Sequence, residues 1–127
     1  MFGRKKNTQE LQSYKFPISK SFRGFKRFSV IQHGIGDSEE NCAQLSGMDI
    51  SKSYINFVEK LSKDGQMYIE VYIDDKQIGS VFDSDQLQSI RSGMITDVHI
   101  HFEAEEVITQ TSTEERKRAK VFVKYKE

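Results

Sequence analysis

Apolar positions along this chain recur with period two over several short stretches and with helical spacing over a few others, and the two rhythms mark out the elements. Tyr14-Lys15-Phe16-Pro17-Ile18 alternates as a strand, with Pro17 lacking an amide donor and therefore suited to a sheet edge. Phe22 to Ile31 predicts a second strand, ended by Gly34 and Gly36. From Met67 to Met94 the elements follow closely. Tyr68-Ile69-Glu70-Val71-Tyr72-Ile73 is β-branched and aromatic, Asp74-Asp75-Lys76 turns it, and Gln77 to Phe82 returns antiparallel. Asp83 with Gln86 three positions later predicts a capping box that opens a helix, with Leu87, Ile90 and Met94 facing inward and Gly93 ending it. Ile95 to Val107 alternates again, placing Val98, Ile100, Phe102 and Ala104 on one face and Asp97, His99, His101, Glu103 and Glu105 on the other. After a polar turn over 109–115, Ala119 to Tyr125 predicts its antiparallel partner.

Two further helices are predicted between the strands. Ser38 is placed to cap a short one, with Glu39 and Glu40 at its positive N-terminal end, Cys42 and Leu45 on one face, and Gly47 as a left-handed stop. Ile50, Tyr54, Phe57, Val58 and Leu61 follow helical spacing, although Ile55, Phe57 and Leu61 also alternate as a strand would. The expected fold class is α+β, a small antiparallel sheet or open β-barrel with two to three short helices. A single domain is expected over residues 13–127, preceded by a flexible basic arm over 1–12.

The composition supports a packed domain. Nine Phe and five Tyr in 127 residues supply a core without disulfides or metal. The one cysteine cannot close an intramolecular bridge, and the basic start is not followed by an apolar run of signal-peptide length; a reducing, cytoplasmic location is expected. No window reaches the roughly 20 apolar residues that span a bilayer, so no membrane association is expected.

Charge changes the picture more. The net charge is zero, yet residues 1–33 carry eight Lys or Arg against one Glu, residues 34–115 five against seventeen acids, and residues 116–127 six against one. Basic ends around an acidic middle suit either a polyanionic partner or neutralisation within the fold. Phe22-Arg23-Gly24-Phe25-Lys26-Arg27-Phe28 interleaves aromatics that stack bases with cations that neutralise phosphates. If the last strand lies beside it, Arg116, Lys117 and Arg118 extend the same basic surface. A core strand with solvated basic side chains is the plainer interpretation of the same residues.

Catalytic chemistry finds little support. His99-x-His101-x-Glu103 has the spacing of metal ligands on one strand face, but a closed site needs further donors, with only His33 and Cys42 uncommitted. Cys42 sits on an inward helix face rather than beside an activating base. His33-Gly34-Ile35-Gly36-Asp37 lacks both the third glycine of a dinucleotide fingerprint and the Gly-Lys-Ser/Thr of a P-loop. Asp74-Asp75 and Asp83-x-Asp85 serve a turn and a cap. No cofactor, metal or catalytic residue is expected.

Phe28 to Ile35, the helical segment ending at Leu45, and Ile69-Glu70-Val71-Tyr72-Ile73-Asp74-Asp75-Lys76-Gln77-Ile78-Gly79-Ser80-Val81-Phe82 with the helix after it together resemble the HIRAN domain over about residues 26–125. The resemblance implies a small β-barrel of modified OB-like topology, found alone in bacteria or fused to helicase-like ATPases in eukaryotes, that binds single-stranded DNA at a free 3′ end. It also implies a strand over Ile55 to Leu61. Where the family carries an Asn-Pro-x-Asp-x-Asn-Ala-type segment, this chain has Ser62-Lys63-Asp64-Gly65-Gln66-Met67-Tyr68, so no family binding residue carries over. The expectation is a non-enzymatic bacterial or phage binding module that contacts single-stranded nucleic acid through Phe22, Arg23, Lys26, Arg27, Arg116, Lys117 and Arg118. The alternative is a protein-interaction or homodimer module using an exposed sheet edge or the acidic middle.

Overall fold

Residues 11–127, which the computed structural model describes, form β1 (Ser13–Pro17), β2 (Lys26–Phe28), α1 (Ser38–Ser46), β3 (Tyr54–Leu61), β4 (Met67–Ile73), β5 (Lys76–Val81), α2 (Ser84–Arg91), β6 (Ile95–Ile108) and β7 (Thr113–Tyr125). The strands make two antiparallel sheets, ordered β1-β3-β4-β5 and β2-β7-β6. Single bridges join their edges, Ile18 to Val98 on one side and Ile31 to Ser80 on the other, and the sheets do not close into a barrel. The fold is therefore α+β with two helices. The expected arm over residues 1–12 falls almost wholly outside the described residues.

One core fills the space between the sheets. Alternation along each strand sends Ile55 and Phe57, Ile69, Val71 and Ile73, and Ile78 and Val81 inward from the first sheet, against Phe28, Val98, Ile100, Ala119, Val121 and Val123 from the second. Phe57 joins the two, with its ring 5.8 Å from Phe28 and 5.9 Å from Phe16, both edge-to-face. Cys42 and Leu45 of α1 and Ile90 of α2 complete the cluster.

Several sequence expectations need correction. Of the two alternatives open for residues 50–61 the strand holds, as β3 over Tyr54–Leu61, and the helical spacing fails because Ile55, Phe57 and Glu59 are alternate inward positions. The Glu59 carboxylate, 3% exposed, accepts hydrogen bonds from the Tyr14 hydroxyl at 2.8 Å, the Gln12 amide at 3.1 Å and Arg91 Nε at 3.2 Å. The long strand expected from Phe22 shrinks to Lys26–Phe28. Residues 22–25 instead form a turn, with the Phe25 amide donating to the Phe22 carbonyl at 2.9 Å and Gly24 at φ +81°.

The hairpin turn is two residues long, since Ile73 pairs with Lys76, and Asp74 takes the left-handed conformation at φ +54°. Asp37 rather than Ser38 precedes α1, and Gly47 leaves it at φ −95° rather than left-handed, its amide bonding back to Gln44. The capping box of α2 is half formed: the Asp83 carboxylate accepts from the Gln86 amide at 3.1 Å, while the Gln86 side chain bonds the Ser29 backbone and so ties α2 to the end of β2. Pro17 does lie in an edge strand, as β1 borders its sheet. Among the described residues, no helix is long and apolar enough to cross a membrane.

Candidate nucleic-acid interface

The outer face of the β2-β7-β6 sheet follows from the parity of its strands. With Ala119, Val121 and Val123 turned to the core, Arg118, Lys120, Phe122 and Lys124 of β7 point outward. Register places Arg27 of β2 beside Phe122, and Phe122 beside His99 of β6. The turn over 22–25 folds Phe22 onto this row. Its ring lies 4.6 Å from His99 at an interplanar angle of 15°, and 5.2 Å from Phe122.

His99 is held in place from behind. Its Nδ1 lies 2.7 Å from the Ser19 carbonyl oxygen, which can only accept, so Nδ1 carries the proton and the ring orientation is set. Phe22 remains 48% exposed above this support. The result is a fixed aromatic step with one open ring face, of the kind on which a base stacks.

Around the step stand cations of two sorts. Arg23, Lys26 and Arg27 are exposed and form no ion pair with a described residue, but only Arg27 of β2 shares the outer face with Phe122; Lys26, opposite Val123 and in phase with buried Phe28, projects to the other side. The C-terminal cations are differently placed. Arg116 binds both Glu39 and Glu114 at 3.1 Å, Lys117 meets Glu115 at 3.7 Å, Arg118 meets Glu105 at 3.4 Å and Lys120 bonds Glu103 at 2.6 Å. The Lys120 hydrogen bond and charge, with His101 and Arg27 nearby, hold the Glu103 carboxyl below its usual range. Hydrogen bonding to Glu114 and the charge of Glu39 raise the Arg116 guanidinium further. The structure thus brings the basic strand β2 beside the basic strand β7, but the 116–118 run lies on a stretch of β7 where carboxylates offset its charge.

His99 and Phe122 were not among the expected contact residues, yet they form the floor of the platform. His99 stood out in the sequence only for its metal-like spacing, and Phe122 as an ordinary strand residue; the long-range register that joins them to Phe22 leaves no local signal. Among the described residues no three His, Cys, Asp or Glu side chains converge as a metal site. His99 is taken by Ser19 and Glu103 by Lys120. Cys42 is fully buried, its thiol pushed up to about 11 by burial, and it donates to Gln32 Oε1 at 3.4 Å.

A cavity of about 540 Å³ lies elsewhere, on the outer side of β4 and β5. Gly34 and Gly36, Lys63, Tyr68 and Phe82 line it, and the Tyr68 and Phe82 rings stack at 5.4 Å. Its rim includes part of the 62–68 segment singled out by the resemblance. Compared with protein-family models, curated proteins and solved structures, the chain matches none.

Proposed function

We propose that this protein is a non-enzymatic binding module that holds single-stranded nucleic acid on the outer face of the β2-β7-β6 sheet. The observation that carries the reading is the Phe22 ring, half exposed and braced by His99 and Phe122, with Arg27 in register beside Phe122, Arg23 next to Phe22 in the chain, and neither in an ion pair with a described residue. A base stacks on the open face of Phe22 while Arg23 and Arg27 meet the backbone phosphates. Arg116, Lys117 and Arg118 border the path, and their carboxylate partners limit what they add.

Titrating a fluorescent single-stranded oligonucleotide at several salt concentrations tests this. Two phosphate contacts at about 0.7 each give a slope of log affinity against log salt of about −1.4. Phe22→Ala is expected to weaken binding about tenfold, in line with about 1–3 kcal/mol per stacked base, and Arg27→Ala to flatten the slope by about 0.7. Absence of binding at low salt, or affinity indifferent to both substitutions, overturns the reading.

The HIRAN resemblance favours a second site for the same class of ligand, a free 3′ end held in the cavity beside Lys63 and Phe82. It predicts that Lys63→Ala and Phe82→Ala weaken binding and that a 3′-phosphorylated oligonucleotide binds less well than a 3′-hydroxyl one. The sheet-face reading predicts no difference between the two ends.

A further inference from the structure

The outer edge of β6 is an unfinished sheet, and its side chains are ordered for a second copy of itself. Pairing with β7 runs without interruption from Val98 opposite Val123 to Ile108 opposite Thr113. Backbone phase along that ladder is fixed at two places. The Val98 carbonyl points away from β7 and accepts from the Ser19 amide at 2.7 Å, and Ala119, on the far edge of β7, gives its amide and carbonyl to the Gln32 side chain. In an antiparallel ladder the N–H and C=O of one residue point to the same side, and the side alternates along the strand. Ile100, Phe102 and Ala104 therefore aim both groups outward, and none of them has a backbone partner there among the described residues.

We propose that two copies of this chain pair antiparallel through this edge, about a two-fold axis at Phe102. That register sets Phe102 against Phe102 of the second copy and Ile100 against Ala104, giving about six new backbone hydrogen bonds. On the outer face it sets His101 opposite Glu103, a pairing that occurs twice. Moving the axis one residue toward the hairpin end puts Glu103 against Glu103, and two puts Glu103 against Glu105, where like charges repel, while moving it the other way calls on the Val98 backbone, which Ser19 already occupies. Within one copy His101 Nε2 already lies 3.8 Å from Glu103, a weak contact that the cross-copy pair replaces.

The Ile18–Ser19 segment occupies the edge at Val98, so the second copy pairs from Ile100 onward. Beside Ile100 the edge opens on a cleft of about 300 Å³ lined by Ile18, Met48 and Ile50, and Met48 is 55% exposed there. The edge carries neither proline nor lysine from His99 to Ile108, two of the devices that keep a long free strand from pairing, and its carboxylates at Glu103 and Glu105 are already matched by Lys120 and Arg118. The assembled unit is a continuous sheet, β2-β7-β6 of one copy joined to β6-β7-β2 of the other. The proposal does not depend on the nucleic-acid reading, although it places both Phe22 platforms on one face, about 20 Å apart by strand rise.

Sedimentation of the full chain across a wide concentration range tests it, the expected result being a mass that rises from 14.7 kDa to twice that value. Ala104→Pro removes an outward amide without touching the β7 ladder and is expected to leave a folded monomer. His101→Glu is expected to weaken the dimer about tenfold by setting like charges opposite, and adding Glu103→His should recover most of the loss, because the swap restores both cross pairs. A chain that stays monomeric at every concentration, or a dimer indifferent to Ala104→Pro, overturns the proposal. So does a monomer whose Ile100, Phe102 and Ala104 amides become protected only by an oligolysine peptide, which would assign the edge to a basic strand from another protein.

Discussion

Cys42 shows how far burial alone sets the chemistry of a side chain. Its thiol, ordinarily near 9.0, is pushed up to about 11 because the thiolate would sit in the core between α1 and β7. The folded state therefore binds this proton more tightly than the unfolded one. The stability this contributes is complete below pH 9 and is lost as pH rises toward 11. Urea unfolding at points across that range should show stability falling by about 2 kcal/mol or more. Tyr14 and Tyr72, raised by burial and by Glu59 and Glu70 respectively, act in the same direction. Cys42→Ser, which keeps a donor toward Gln32, is expected to shrink the fall without removing it; an unchanged profile in that variant would show that the thiol titrates normally. The same burial predicts negligible alkylation of native Cys42 at neutral pH.

At the level of elements, β5 depends on one close approach. Gly79 lies at the register shift opposite Val71, where the Ile31 segment crosses, Ile31 and Ser80 exchanging amide bonds at 2.8 and 2.9 Å. A Cβ on Gly79 would lie 2.6 Å from the Ile31 carbonyl oxygen, and backbone cannot yield there as a side-chain tip would. Gly79→Ala is expected to cost about 3 kcal/mol in chemical denaturation, whereas Gly65→Ala, with open space around its Cβ and only its left-handed φ to oppose it, should cost about 1. The β4-β5 hairpin and α2 were legible because every signal that makes them is local: β-branched runs, two turn aspartates, Asp83 as cap. β3 was not, since an acidic residue at an inward position breaks its apolar rhythm. Glu59 is tolerated there only because Tyr14 and Arg91, 45 and 32 residues distant, come to meet it. The β2 segment was half legible for a related reason, its aromatic content being shared between the core, at Phe28, and the outer face, at Phe22.

Across the whole molecule, charge separates along the chain but mixes in space. The basic C-terminal run and the acidic middle face each other across β6 and β7, so Arg116 to Lys120 are neutralised there, whereas Arg23, Lys26 and Arg27 form no ion pair with a described residue and Arg27 only stands near Glu103. Sequence counts could not distinguish the two, because the ion pairs depend on a register between strands. The end of the β6-β7 hairpin adds little to stability: Ile108 is 84% exposed and residues 109–115 are all exposed or polar. Replacing residues 106–115 by Asn-Gly should change unfolding free energy by less than about 1 kcal/mol, while Val121→Ala, in the core of the same hairpin, should cost about 2. Equal losses in both would place the hairpin end within the cooperative core. The sheet order β2-β7-β6 has one more consequence, for a chain made from its N-terminus. By Val81 every strand of the first sheet has left the ribosome, but the surface it must rest on is completed only by β7. Until Tyr125 emerges, Ile55, Val71 and Ile73 lack the cover that β7 completes, and the nascent protein depends on that strand to shield them from its neighbours.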